Sequence, residues 1–216
     1  MGETFDLVEL RREQERLSRK IIIADQLPEP ITKVGAATTV ALPDKLLAIV
    51  IVCEFPSMKI LEEKTYTLYN PLPPKAEFLA YREMPAIMEA YNQLSEEPDI
   101  LLVKGYGILH PRNIGVASHL GLVLNIPTIG VADYLALGST QEDDILLNGE
   151  LCGHTLLPRQ HSNLLYITPG HRVSFETARE LAKKMLQYPH KIPEPLHLAL
   201  RLAKKKSKEG VENVTC

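Results

Sequence analysis

The stretch from residue 98 to residue 132, PDILLVKGYGILHPRNIGVASHLGLVLNIPTIGVA, restricts the fold of this chain more than any other. An apolar run, Ile100-Leu101-Leu102-Val103, stops at Lys104-Gly105-Tyr106-Gly107, and a polar turn, His110-Pro111-Arg112, follows. A helical pattern rich in small residues then spans 114–124, and a second apolar run over 128–132 ends at Asp133. Short runs that are apolar without alternation suit parallel strands covered on both faces, and strand, helix and strand in this succession close as a right-handed βαβ unit. Ligands of open α/β sheets gather at the carboxyl ends of such strands. Lys104 and Asp133 stand there, so a functional site is expected between them.

Ahead of this unit, β-like runs over 34–42, 46–54 and 57–69 are separated by the turn signals Pro43-Asp44-Lys45 and Phe55-Pro56, which predicts an antiparallel meander. A charged, amphipathic helix is predicted over 5–23, with Leu7, Leu10 and Leu17 in its apolar stripe and Pro28 and Pro30 beyond its end. Phe78, Tyr81, Met84, Ile87, Tyr91 and Leu94 recur at helical steps. Because Pro85 suits only a first turn, that helix is expected to begin near Arg82. Further on, strands are predicted over 145–151 and 156–167 around an Asn148-Gly149 turn, and helices over 174–187, with Ser174 as N-cap, and 194–206. Residues 207–216 read as a solvated, flexible tail. The order β-β-β-α-β-α-β predicts one α/β domain over residues 1–216 with a ribonuclease H-like fold, a mixed central sheet flanked by helices.

Composition narrows the function classes. Twenty-four basic against 27 acidic residues give a net charge of −3, so any nucleic-acid surface must be a local patch. Cys53, Cys152 and Cys216 form no CxxC pair and read as free thiols of a reducing compartment, not as a disulfide frame or zinc site. No signal-peptide core and no run of membrane-spanning length is present, so a cytoplasmic protein without a membrane partner is expected, with a monomer favoured.

Several motifs recur in one order between about residue 30 and residue 206: Ala80-Tyr81-Arg82-Glu83-Met84-Pro85, Gly105-Tyr106-Gly107 with His110-Pro111-Arg112, Gly115-Val116-Ala117-Ser118-His119-Leu120-Gly121, Pro169-Gly170-His171 and Ile192-Pro193-Glu194-Pro195. In these the chain resembles the endonuclease V family, whose typical members cut nucleic acid near deaminated purines, chiefly inosine, using Mg²⁺. The resemblance implies a carboxylate cluster that holds the hard cation against a phosphodiester. It also exposes departures. Ala37 stands where the family carries a first-strand aspartate, Lys104 where it carries a second, and Asp133 where it carries a lysine. Pro73-Pro74-Lys75-Ala76-Glu77 replaces a proline-tyrosine-x-proline-glycine wedge. Of the catalytic set that the resemblance implies, Glu83 and His171 remain.

A methyl group cannot ligate a cation. Two unit charges about 4 Å apart interact by roughly 4 kcal/mol at an effective dielectric near 20, so an ammonium there substitutes a repulsion for an attraction. No metal is therefore expected among Ala37, Glu83 and Lys104, and no cofactor. The expected protein is endonuclease V-like and binds DNA or RNA without cutting by the family's Mg²⁺ route. Gly105 and Gly107, through backbone N–H groups near Arg112, are candidate phosphate contacts. Tyr106 is a candidate stacking surface, and His110, Lys104 and Asp133 complete the candidate binding set. Lys104 is expected to set its ammonium against Glu83, Asp133 or both. Two alternatives stand beside this: an active metal-dependent endonuclease that recruits Asp133, Glu54 or Asp44, and a scaffold that binds no nucleic acid.

Overall fold

The structure is a computed structural model and describes residues 6–212. The apolar, β-branched first half of the chain folds as its pattern predicts. Strands β1 (Lys33–Leu42), β2 (Lys45–Glu54) and β3 (Ile60–Tyr69) form an antiparallel meander. β4 (Ile100–Lys104) lies parallel to β1, with Val103 opposite Ala37, and β5 (Thr128–Ala132) lies parallel to β4, with Val131 opposite Lys104. β6 (Ser139–Gln141), β7 (Asp144–Leu147), β8 (Glu150–Leu156) and β9 (Leu165–His171) complete one sheet in the order β3-β2-β1-β4-β5-β9-β8-β7-β6, with β9 antiparallel to β5.

Helices cover both faces. α2 (Leu79–Tyr91) and α3 (Val116–Leu124) pack on Ala37, Ala48, Val50, Leu101 and Val103. On the other face, α4 (Phe175–Lys184) and α5 (Glu194–Glu212) pack on Ala36, Ile49, Ile51, Leu102 and Val131. The doubly covered run of β2 follows directly, since every residue from Leu46 to Cys53 is buried. Each such large apolar side chain contributes about 1.5–3 kcal/mol. α1 (Leu7–Ser18) starts where Asp6 Oδ1 accepts from Val8 N at 2.9 Å, and α4 starts where Ser174 Oγ accepts from Thr177 N at 3.2 Å, as its N-cap role predicts. Among the described residues, no helix is long and apolar enough to cross a membrane.

Several boundaries differ from those expected. α2 begins at Leu79, after a 3₁₀ turn over Ala76–Phe78, and Pro85 lies inside it. Burial of Ala80, Met84, Ala86, Ile87 and Ala90 against the sheet outweighs the roughly 3 kcal/mol an interior proline costs. α1 stops at Ser18, because Ile21 and Ile23 leave the helix to pack on Ile108, Leu109 and Ile145. The predicted 156–167 strand is mostly the polar loop 157–164, with only the last residue of β8 and the first three of β9 inside it, and Pro169-Gly170-His171 ends β9. β6, exposed throughout, carries no apolar signal that could have revealed it. α5 runs to Glu212, so residues 207–212 are helical where a tail was expected, and residues 213–216 lie outside the described residues.

Candidate functional site

Because β1, β4 and β5 are parallel, their carboxyl ends meet at one edge of the sheet. There they border a pocket of about 190 Å³ shared with α2 and the start of α3. Glu83, Lys104, Gly105, Tyr106, Asp133 and Tyr134 are among the residues lining it. The register explains one contact. With Lys104 opposite Val131, Asp133 leaves β5 beside the Lys104 side chain, and Lys104 Nζ lies 3.0 Å from Asp133 Oδ2. The ammonium is set into the wall, its side chain 24% exposed, whereas that of Asp133 is 61% exposed. A pair this open to water contributes only about 0–1 kcal/mol.

Glu83 reaches the same pocket from α2. Burial pushes its carboxyl up to about 7, against the pull of the Thr39 hydroxyl and the Arg82 guanidinium. Lys104 is not among the groups acting on it, so of the two expected partners Lys104 has Asp133. Ala37 is fully buried, between Val50 and Val103 in the sheet, and presents only a methyl group.

These residues do not fit the Mg²⁺ of the family. That ion demands near-octahedral oxygen coordination with carboxylate ligands. Among the described residues, no group of three or more His, Cys, Asp and Glu side chains is placed to hold a cation. Of the alternative acids, only Asp133 lines the pocket. Glu54 stands opposite Lys33 in the strand register, at the other end of β1, where its carboxylate accepts from the Ser57 hydroxyl, and Asp44 sits in the β1–β2 turn.

The glycine and arginine candidates serve the fold instead of an open surface. Gly107 N donates to Thr168 Oγ1 at 2.7 Å and Gly105 N to the Val131 carbonyl at 3.0 Å, so neither backbone donor is left for a phosphate. Gly105, at φ 141°, takes a backbone conformation that favours glycine. Gly107 is needed for a different reason, since a Cβ there would lie 2.0 Å from the Pro169 carbonyl oxygen. Arg112, its side chain 13% exposed, gives Nε to Gln14 Oε1 at 2.7 Å and Nη2 to Glu77 Oε2 at 2.9 Å. The same guanidinium lies 5.5 Å from the Phe78 ring centroid. It therefore clamps α1 to the segment where the family carries its wedge and is not a free phosphate ligand. Its hydrogen bond holds the Glu77 carboxyl below the usual range, although burial acts the other way.

Gln14 was not legible as a site-forming residue. It sits among charged residues on α1, yet it is fully buried and its Nε2 donates to the Glu77 carbonyl at 2.8 Å. His110 is buried beside it, with Nε2 3.1 Å from the same carbonyl and Nδ1 accepting from Arg112 N. Burial brings its imidazole down to about 4, so it is neutral near pH 7. Tyr106 lines the pocket, but its hydroxyl is engaged: it donates to the Tyr134 carbonyl and accepts from Ala136 N at 2.9 Å. Burial pushes that hydroxyl up to about 12.

His171 is not brought to the pocket. β9 runs antiparallel to β5, which sets His171 opposite Thr128, at the end of β5 remote from Asp133. There its Nδ1 accepts from Ile22 N at 3.2 Å and pins the segment after α1. Glu83 and His171, grouped by the motif resemblance, thus stand at different ends of the sheet.

A meander of three antiparallel strands continued by parallel strands, with helices on both faces and a pocket at the parallel strands' carboxyl ends, defines the ribonuclease H-like class. Within it the chain belongs to the endonuclease V family, whose model, Endonuclease V, matches residues 15–201. The Endonuclease V of Nostoc punctiforme is 35% identical over 203 residues, covering 89% of this chain and 91% of its own. That of Dictyoglomus turgidum is 31% identical over 207 residues, covering 92% and 90%. The catalytic domain of human Endonuclease V superposes with a TM-score of 0.88 at 27% identity, covering 98% and 99% of the two chains. Ciona intestinalis Endonuclease V, solved in complex with a 24mer DNA containing an inosine followed by a ribo-adenosine, superposes with a TM-score of 0.85 at 26% identity, covering 94% and 98%.

Proposed function

We propose that this protein is a nucleic-acid-binding member of the endonuclease V family that does not cleave by the family's Mg²⁺-dependent route. The observation that carries this reading is the Lys104–Asp133 pair at the mouth of the pocket, with a buried methyl group at Ala37. Hydrolysis of a phosphodiester needs an activated water and positive charge placed where the transition state develops negative charge. Here Lys104, the one ammonium lining the pocket among the described residues, is engaged by Asp133, Glu77 is held by Arg112, and Glu83 is half neutral near pH 7. Binding has separate support. The pocket lies at the carboxyl ends of β4 and β5 with Lys104 in its wall, and the Ciona relative has been solved on inosine-containing DNA.

The test is an affinity measurement on inosine-containing and plain DNA and RNA strands, with the same mixtures followed for products under Mg²⁺ or Mn²⁺. Binding without products is expected. Metal-dependent cutting near inosine would replace this reading with the active-nuclease alternative, and absence of binding to every strand would leave the scaffold.

A further inference from the structure

We infer that Asp133 is an internal occupant of a phosphate position on Lys104: the ammonium is the site's own cation, and a nucleic-acid backbone binds there by displacing the Asp133 carboxylate, without a divalent ion. This rests on the nucleic-acid-binding reading above and goes beyond it by naming the atom that receives the phosphate and the group that guards it.

Charge in the pocket supports the assignment. Of the charged side chains lining it, Glu77, Glu83 and Asp133 are acids, and Lys104 is the one cation among the described residues. Arg112, close by, is committed to Glu77 and Gln14 and is nearly buried. A phosphodiester entering this pocket therefore finds a single positive group.

The two partners of the ion pair are also unequal. Lys104 projects from the last residue of β4, held in the sheet, and is mostly covered. Asp133 lies just past the end of β5, on the chain leading into the exposed Tyr134, and most of its side chain faces water. The anion is the more exposed partner. Released, its carboxylate stays hydrated, and a singly charged phosphodiester oxygen takes its place at the same ammonium. Exchange of one singly charged oxygen ligand for another keeps the ammonium itself paired, whereas a divalent cation would face that ammonium directly.

The experiment is a fluorescence-anisotropy titration of single-stranded oligonucleotides, with inosine and without, in EDTA and in Mg²⁺, over a series of salt concentrations. Wild-type affinity is expected to be the same in EDTA and in Mg²⁺. Lys104→Gln should weaken binding about fivefold at 0.1 M salt and flatten the dependence of log K on log salt by about 0.7, the share of one single-strand phosphate contact. Lys104→Arg should retain most of the affinity. Asp133→Asn should tighten binding by about two- to fivefold, the worth of an exposed ion pair that no longer competes. In the Lys104→Gln background the Asp133→Asn gain should vanish.

Binding that needs Mg²⁺, or an Asp133→Asn variant that binds no better than wild type, overturns the inference and leaves the nucleic-acid reading intact. Failure of wild type to bind any strand overturns both. Thermal melting of each variant separates these outcomes from misfolding, and the Asp133→Asn gain in affinity cannot arise from a damaged fold.

Discussion

Glu83→Gln isolates the energetics of the most deeply desolvated acid of the pocket. Burial raises the carboxyl from its usual value of 4.5 to about 7, so the native state holds this proton more tightly than the unfolded chain does. The sign follows from linkage: the stabilisation is fully present below pH 4.5 and is lost as pH rises through 7. At 1.36 kcal/mol per pH unit, that interval corresponds to roughly 3 kcal/mol. Glutamine keeps the shape and the hydrogen-bonding capacity of the neutral acid and does not ionise. Urea unfolding of both proteins between pH 4 and pH 8.5 should therefore show near-equal stability at the acid end. At the alkaline end the variant should be more stable by about 2–3 kcal/mol. A pH-independent difference, or a wild type that gains on the variant as pH rises, would show that Glu83 is held ionised by a cation. Lys104 would be the first suspect, and the reasoning about burial would fail.

His110 titrates in the opposite sense. Its imidazole is down at about 4, so its stabilisation is present above pH 6.5 and is lost as pH falls through 4. His110→Gln should flatten the acid limb of the stability profile, and the same urea series reads it; in wild type this slope offsets that of Glu83 over the range they share. Arg112→Ala should destabilise by about 2–4 kcal/mol, because the fully buried Gln14 loses the donor to its amide oxygen and Glu77 keeps only the longer 3.7 Å contact to Arg11. The denaturant midpoint checks it, and Arg112→Lys should recover only part of the loss, since a point charge cannot serve both acceptors as the planar fork does. Ala37→Asp combined with Lys104→Asp should create Mn²⁺ affinity measurable by calorimetry, with a melting temperature that rises on adding Mn²⁺. Turnover on inosine-containing strands should lag behind, because the segment from Pro73 to Glu77 and Asp133 are unchanged, and a flat calorimetric titration would show that more than these two ligands is missing.

What was legible in the sequence was what depends on a residue's own identity or its near neighbours. The runs 46–52, 100–103 and 128–132 lack alternation because they are covered on both faces, and that pattern alone announces a sheet packed between helices. The ends of β4 and β5 could be assigned to one edge, because parallel strands in a βαβ unit must point the same way, and this brought Lys104 and Asp133 into view together. The substitution of a methyl and an ammonium for acids is likewise a matter of residue type.

Tertiary structure decided the rest. Arg112 finds Glu77 at a separation of 35 residues and Gln14 at 98, and no local pattern distinguishes a clamped arginine from a solvated one. Gly107 was recognisable as a loop glycine, but the strand against its Cα belongs to β9, and only the packing shows why no side chain fits. His171 follows a motif, yet its place is set by β9 running against β5, a direction that the composition of β9 does not carry. Pro85 persists inside α2 because a buried apolar face outweighs a missing hydrogen bond. Periodicity records which side of an element is covered, whereas strand order and direction decide which distant side chains share that cover, and the pocket is made of those distant meetings.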